Sequence, residues 1–135
     1  MGDFMTNEKQ LEVLRSNLRQ HLGCCRKKMF ELKENGICFR FNRLSINKIG
    51  CIKSVMNSVK NGFTPEKHFE AAENILDLFE YSKVIEQHYE KKPARNETRY
   101  LCISQITDNV YAWMNVVTWE NNEGYIDLFL SREAE

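Results

Sequence analysis

The residues with the clearest chemical potential lie close together in the stretch IEQHYEKKPARNETRY, residues 85–100. His88 can donate or accept a proton, and Arg95 and Arg99 carry permanent positive charge. Cleavage of RNA without a metal needs a group that activates the 2′-hydroxyl, a donor for the leaving oxygen and cations that stabilise the phosphorane. These residue types are compatible with a metal-independent ribonuclease. The alternative is a solvated loop between a helix and a strand, which would have the same composition.

A second set of residues has the chemistry of a binding surface. Large aromatic side chains recur in two strand-like runs near the carboxyl terminus, at Tyr111, Trp113, Trp119, Tyr125 and Phe129. Because aromatic residues dominate the energetics of protein interfaces, this set predicts anchors for a protein partner. The competing interpretation is that most of these side chains fill the hydrophobic core.

The sequence carries no familiar signature of cofactor or metal chemistry. It has no glycine-rich phosphate loop, no HExxH motif and no nucleophile elbow, and its five cysteines form no CxxC pair. We therefore predict no cofactor and no bound metal, and the odd cysteine count favours a reduced, cytoplasmic setting. No apolar run approaches the roughly 20 residues of a membrane span, so no membrane contact is expected.

Charge is balanced over the chain, with 19 basic and 19 acidic residues in a length of 135. Such a balance gives no overall field that would attract nucleic acid, so any contact with phosphate must use a local patch. The densest basic stretches are CCRKK at residues 24–28 and EKKPARNETR at residues 90–99. The first is expected on the solvated side of a helix.

The elements that position these residues begin with a long helix. Apolar residues recur at steps of three and four, at Leu11, Leu14, Leu18, Leu22, Cys25, Met29 and Leu32. This spacing predicts one amphipathic helix over residues 8–35, ended by Asn35-Gly36. Such a helix would measure roughly 40 Å, which exceeds what a small core needs. Either it lies along its own sheet, or part of its apolar stripe forms a homodimer seam.

Shorter elements follow this helix. The alternation in ICFRFNR, residues 37–43, predicts a strand, and a short helix is expected over residues 49–60. Thr64 and Pro65 form a strong start signal for a further helix that ends near residue 81, and His68 in its first turn is expected at the surface. The stretch KVIEQHY, residues 83–89, is compatible with another helical turn or with an extended segment.

Three strand-like runs close the chain, at residues 99–106, 110–119 and 125–131. The short segments TDN and NNEG separate them, which predicts a three-stranded antiparallel meander. Residues 1–135 are thus expected to form a single α+β domain, with helices packed on one side of a mostly antiparallel sheet. The other side is either covered by the long helix or left as a binding surface.

A family resemblance spans residues 64–131, from EKHFEAAENILDLFEYSKVIEQHYEKK through RYLCISQITDNVYAWMNVVTWENNEGYIDLFLS. The order of a helix, a histidine-containing link and an antiparallel meander resembles small phage-associated nuclease domains of the barnase, EndoU, colicin and RelE superfamily. This resemblance implies metal-independent ribonuclease chemistry on the sheet face. It places a catalytic histidine at His88, a phosphate-binding arginine at Arg95 or Arg99, and a hydroxyl at Thr118 or Ser131. The balanced charge departs from many toxins of this group.

A second hypothesis requires no catalysis. The chain would be a small intracellular binding protein of mobile-element or phage origin, such as an immunity-type inhibitor. Its long helix would form a homodimer, and its aromatic sheet face would grip a partner. The partner would be another protein, whereas the ribonuclease hypothesis requires RNA.

Overall fold

The computed structural model of the protein describes residues 8–34, 36–92 and 95–133, and the side chains of all of these apart from 89–92 and 95–96. Five α-helices lie in this part: α1 (Glu8–Leu22), α2 (Arg43–Ile49), α3 (Ile52–Lys60), α4 (Pro65–Glu73) and α5 (Ile75–Glu80). No helix in the described ranges combines the length and the apolar character needed to cross a lipid bilayer.

Six strands are interspersed with these helices in the described part of the chain: β1 (Met29–Glu31), β2 (Cys38–Arg40), β3 (Lys83–Lys92), β4 (Arg95–Thr107), β5 (Val110–Thr118) and β6 (Gly124–Ser131). β1 and β2 form an antiparallel pair, and β3 to β6 form a four-stranded antiparallel sheet in sequence order. The predicted α+β architecture is confirmed. The meander gains a fourth strand because the stretch KVIEQHY is extended and belongs to β3.

The predicted long helix is wrong beyond Leu22. α1 ends there, a 3₁₀ turn spans Gly23–Cys25, and Met29 lies on β1. Glycine lowers helix stability by about 1 kcal/mol relative to alanine, so Gly23 weakens the helix where it stops. Lys27 then adopts a left-handed backbone with φ of 71°, which no α-helix contains. The basic CCRKK stretch therefore forms a 3₁₀ turn and a tight bend, not one side of a helix.

Tertiary packing explains why the chain turns back at this point. Phe30 on β1 pairs with Phe39 on β2, stacks on Phe41 with ring centroids 4.4 Å apart, and lies near Phe79 of α5. All four rings are fully buried. α1 adds Leu11, Leu18 and Leu22 to the same core. The excess helix length that suggested a homodimer seam is absent, and the homodimer stays a prediction.

The other helical predictions hold in outline. Thr64 caps α4, where its Oγ1 accepts a hydrogen bond from Lys67 N at 3.1 Å, and Pro65 is the first helical residue. The expected single helix after Pro65 is divided into α4 and α5 at Asn74. The helix expected over residues 49–60 is likewise preceded by a separate α2, and Gly50 and Cys51 connect α2 to α3.

The outer edge of β6 is closed by side chains from the helices. The Ile126 N–H donates to Ser45 Oγ at 3.1 Å, and the Leu130 N–H donates to Ser58 Oγ at 2.9 Å. Two asparagine side chains flank these serines and donate to β6 carbonyl oxygens. The Asn42 amide donates to Gly124 O at 3.1 Å, and the Asn61 amide donates to Leu130 O at 2.8 Å. These contacts satisfy backbone groups that a neighbouring strand would otherwise bond.

His68 is fully buried, so the expected surface position is wrong. Its Nδ1 lies 2.7 Å from Ser58 Oγ, and its Nε2 lies 2.8 Å from the Ile49 carbonyl oxygen. Since a carbonyl can only accept, Nε2 carries the proton, and Nδ1 accepts from the Ser58 hydroxyl. Burial lowers the pKa of His68 to about 4, although the hydrogen bond to Ile49 acts in the opposite direction. The ring is therefore neutral and helps to hold Ser58 against β6.

Candidate binding face of the sheet

Successive residues of the four-stranded sheet point to opposite faces. On one face, residues pack with the buried side chains of the helices in a single cluster, and they include Cys102, Ala112, Met114, Val116, Ile126, Leu128 and Leu130. We call the opposite face the open face. Its residues, aligned by the strand register, include Glu86, His88, Arg99, Leu101, Ile103, Tyr111, Trp113, Asn115, Val117, Tyr125, Asp127 and Phe129. None of them belongs to the helix-covered cluster.

An aromatic and aliphatic row crosses one part of the open face. Trp113 pairs in register with Ile103 on β4 and with Phe129 on β6. The Trp113 and Phe129 rings are nearly parallel, with centroids 6.3 Å apart and an interplanar angle of 6°. The indole N–H of Trp113 donates to the Glu133 carbonyl oxygen at 2.9 Å, so the segment after β6 reaches this row. The row is thus preorganised, and Phe129 remains partly exposed.

A second aromatic pair lies towards the other end of the same face. Trp119 meets Tyr125 edge-on with centroids 5.8 Å apart, and its indole N–H donates to Glu97 Oε1 at 3.0 Å. All five aromatic residues predicted as binding anchors therefore lie on or beside the open face. The helix-covered cluster contains none of them. Trp113 is nevertheless buried, with 8% of its surface exposed, whereas the other aromatic side chains of the set are partly exposed.

Cations gather beside Tyr125 in a cavity of about 300 Å³. Lys48 from α2 and Lys53 from the first turn of α3 reach around the β6 edge to line it, together with Arg99 of β4. The Lys48 Nζ lies 5.1 Å from the centroid of the Tyr125 ring, within range of a cation–π interaction. This end of the open face can accept a carboxylate or a phosphate of a partner.

Asp127 is the carboxylate that this cluster surrounds. Its Oδ1 accepts hydrogen bonds from the Leu128 N–H at 2.6 Å and from the Ser54 hydroxyl. Burial raises the pKa of Asp127, and the Ser54 and Leu128 hydrogen bonds and the charges of Lys48 and Lys53 oppose that rise. Neutralising the carboxyl would leave the cavity with a stronger positive charge.

His88 and Arg99 are brought together, as the ribonuclease hypothesis requires. They are direct cross-strand partners on β3 and β4 and share the open face. Each has an acidic neighbour: His88 Nε2 lies 3.0 Å from Glu86 Oε1, and Arg99 binds Glu97 through Nε at 2.8 Å and Nη2 at 2.7 Å. Both side chains are therefore anchored by carboxylates as well as placed side by side.

The hydroxyl candidates are not brought to this pair. Thr118 is opposite Thr98 in register, on the helix-covered side of the sheet. Tyr125 lies in the same row of the sheet as Arg99, because both are paired with Val117. Ser131 is six residues further along β6, roughly 20 Å from that row at the rise of a strand. Arg95 pairs with Lys92 in the β3–β4 hairpin, and its side chain lies outside the described residues.

Sequence reasoning missed the residues that reach the open face from helices. Lys48, Lys53 and Ser54 are separated from Asp127 by more than 70 positions, and only the fold joins them. Within the described residues, no three His, Cys, Asp or Glu side chains are grouped to hold a metal ion. No protein-family model, curated protein or solved structure matches this chain.

Proposed function

We propose that the protein is a small binding module that engages another protein through the open face of its sheet. The observation that carries this proposal is the position of Tyr111, Trp113, Tyr125 and Phe129, which share one face and lie outside the helix-covered cluster. The inhibitor-type role and the mobile-element or phage origin belong to the same proposal. A nuclease-like fold that binds without cutting would be consistent with the balanced charge.

The chemistry of the open face suits a protein partner. Aromatic anchors stand beside charged groups, and interface hot spots combine these types, since Trp, Tyr and Arg are enriched among them. The stacked Trp113–Phe129 pair loses little rotamer freedom on binding, because the two rings already restrain each other. The cations around Asp127 offer a site for an acidic side chain of the partner.

Site-specific photo-crosslinking tests this proposal. A photoreactive phenylalanine placed at Tyr111 or Tyr125 should capture the same partner in the cells that encode the protein. The same group at Val13, which is 58% exposed on α1, should not capture it. With the partner purified, Phe129→Ala should weaken binding by roughly 30-fold, as expected for a hot spot, whereas Val13→Ala should leave it unchanged. Equal capture at Val13, or full affinity of Phe129→Ala, would contradict the proposal.

A second candidate function is metal-independent cleavage of RNA at the His88–Arg99 pair. It is favoured by their direct cross-strand pairing, which places a proton-transfer group beside a cation. His88 has a side chain that is 65% exposed, so substrate can reach it. The carboxylates of Glu86 and Glu97 compete with a phosphate for the same two groups.

The two candidates are separated by incubating the purified protein with labelled RNA in EDTA. Cleavage that is lost in both His88→Ala and Arg99→Ala would support the ribonuclease. Phe129→Ala serves as the matched control, since it lies on the same face but two rows away from Arg99. No cleavage by the unmodified protein would eliminate this candidate and leave the binding module.

A further inference from the structure

Three arginines line one cavity on the helical side of the molecule, away from the open face. The cavity has a volume of about 420 Å³ and lies where the end of α1, the turn after it and the start of α2 meet. Its lining residues are Arg19, Gly23, Arg26, Arg43, Ile46 and Asn47. No acidic residue is among them. A volume of this size is within the range of small-ligand sites in proteins.

These arginines differ from others in the described part of the chain. Arg15, Arg40 and Arg99 each form an ion pair, with Glu12, Glu123 and Glu97 respectively. In the described ranges, no ion pair or side-chain hydrogen bond engages Arg19, Arg26 or Arg43. Acidic residues are as numerous as basic ones, so a shortage of carboxylates in the sequence cannot explain this.

The side chains of all three arginines are exposed, so solvent and salt screen their mutual repulsion without abolishing it. Three like charges around one cavity repel one another, and the repulsion is strongest at low ionic strength. Arg43 is also the first residue of α2, where a cation opposes the helix dipole. A bound anion would remove both penalties.

We propose that the cavity formed by Arg19, Arg26 and Arg43 binds a ligand through phosphate groups. Guanidinium groups donate paired hydrogen bonds that match phosphate oxygens. None of these three forms an ion pair with a carboxylate of the residues that the structure describes. Asn47 adds an amide donor, and buried Ile46 gives the cavity an apolar floor. The phosphate can come from a free nucleotide-like molecule or from the backbone of a single-stranded RNA, which present the same chemistry.

Gly23 offers a direct test because it lines the cavity and has free space around it. A Cβ added there would meet no atom within 4 Å, and the backbone does not require glycine. Gly23→Glu therefore introduces a carboxylate into the cavity without a clash, and Gly23→Ala is the matched neutral control. Inorganic pyrophosphate and a short single-stranded RNA serve as probes in calorimetric titrations at low salt.

We expect at least one probe to bind, with affinity unchanged in Gly23→Ala and reduced by at least about tenfold in Gly23→Glu, since the new charge repels phosphate. Arg43→Gln should weaken binding too, and its exposed side chain makes it a safe second variant. Tighter binding of pyrophosphate identifies a free phosphate ligand, and tighter binding of RNA identifies a strand backbone. Phe129→Ala should bind the probe normally, which separates this site from the open face. Failure of both probes, or equal affinities of the two Gly23 variants, would overturn the proposal.

Discussion

Along β6, the outer N–H groups of Ile126 and Leu130 are bonded to serine hydroxyls from α2 and α3, whereas β3 has no described neighbour on its outer side. β3 instead carries features that discourage pairing with a foreign strand. Lys83, Glu86 and His88 project from it, and a bulge interrupts its register between Val84 and Glu86. The β6 edge depends on specific partners, while the β3 edge depends on charge and irregularity. Substitutions at the two edges should therefore differ greatly in cost.

The largest expected difference arises at Ser58. Ser58→Ala removes the acceptor of the Leu130 N–H and the donor to His68 Nδ1, both of which are buried. Leaving two such groups unsatisfied should lower the free energy of unfolding by about 4 kcal/mol. Gln87→Ala on the exposed β3 edge is the control and should change it by less than about 0.5 kcal/mol. Urea unfolding at pH 7 measures both, and similar midpoints would show that the edges are equivalent.

The next effect is a loss of stability in acid through His68. Its pKa is about 4 in the folded protein, below the ordinary value of 6.5, so the unfolded chain takes up the proton first as the pH falls. The contribution of neutral His68 to the free energy of unfolding is complete above pH 6.5 and is lost as the pH falls towards 4. At 1.36 kcal/mol per pKa unit, the total is about 3 kcal/mol.

Unfolding midpoints between pH 7 and pH 4.5 test this linkage. His68→Gln lacks the titrating group, so its stability should be lower at pH 7 but should fall less steeply across the same interval. If the two proteins lose stability in parallel, His68 does not titrate as its burial indicates, and the β6 edge is not acid-sensitive through this residue.

Asp127 should show a smaller effect of opposite sign. Burial raises its folded pKa above 3.8, so its contribution is complete below pH 3.8 and is lost as the pH rises through the folded value. Asp127→Asn keeps an acceptor for the Leu128 N–H and removes the buried charge. It should raise stability at pH 7 by less than about 1 kcal/mol, with the gain vanishing towards pH 4. A loss at pH 7 would show that Lys48 and Lys53 favour the carboxylate more than burial disfavours it.

The smallest effect is expected at Ile85 in the β3 bulge, where the side chain is 48% exposed. Ile85→Lys should change the free energy of unfolding by less than about 0.5 kcal/mol, because no buried contact is lost. Thermal unfolding at pH 7 provides the check. A loss of 2 kcal/mol or more, typical of a buried position, would mean that the β3 edge is covered after all.

Sequence patterns correctly predicted those helices and strands that are specified by their own residues. Alternation identified β5 and β6, and the Thr64–Pro65 start signal identified α4. The helix prediction failed beyond Leu22, because the chain there turns and forms β1, where Phe30 pairs with Phe39. The choice between a helix and a strand at this point depends on packing in the core with residues that are distant in the sequence, such as Phe79.

The candidate sites show the same division. Apart from Trp119, which follows β5, the aromatic anchors and the His88–Arg99 pair lie on strands, so their common face follows from alternation once the register is known. Lys48 and Lys53 reach Tyr125 and Asp127 only because α2 and α3 pack beside β6. Arg43 joins Arg19 and Arg26 for a similar reason, since the chain returns to α1 after the β1–β2 pair.

The side chains of Asn42, Ser45, Ser58 and Asn61 that bond the edge of β6 also limit where the chain can accept an inserted residue. One residue inserted within α3 ahead of Ser58 would rotate Ser58 and the residues after it by about 100° about the helix axis, since a helix turns once per 3.6 residues. Ser58 and Asn61 would then miss Leu130, and the strand would lose both bonds that they make with it. Natural insertions should therefore be excluded from the part of α3 that precedes Ser58.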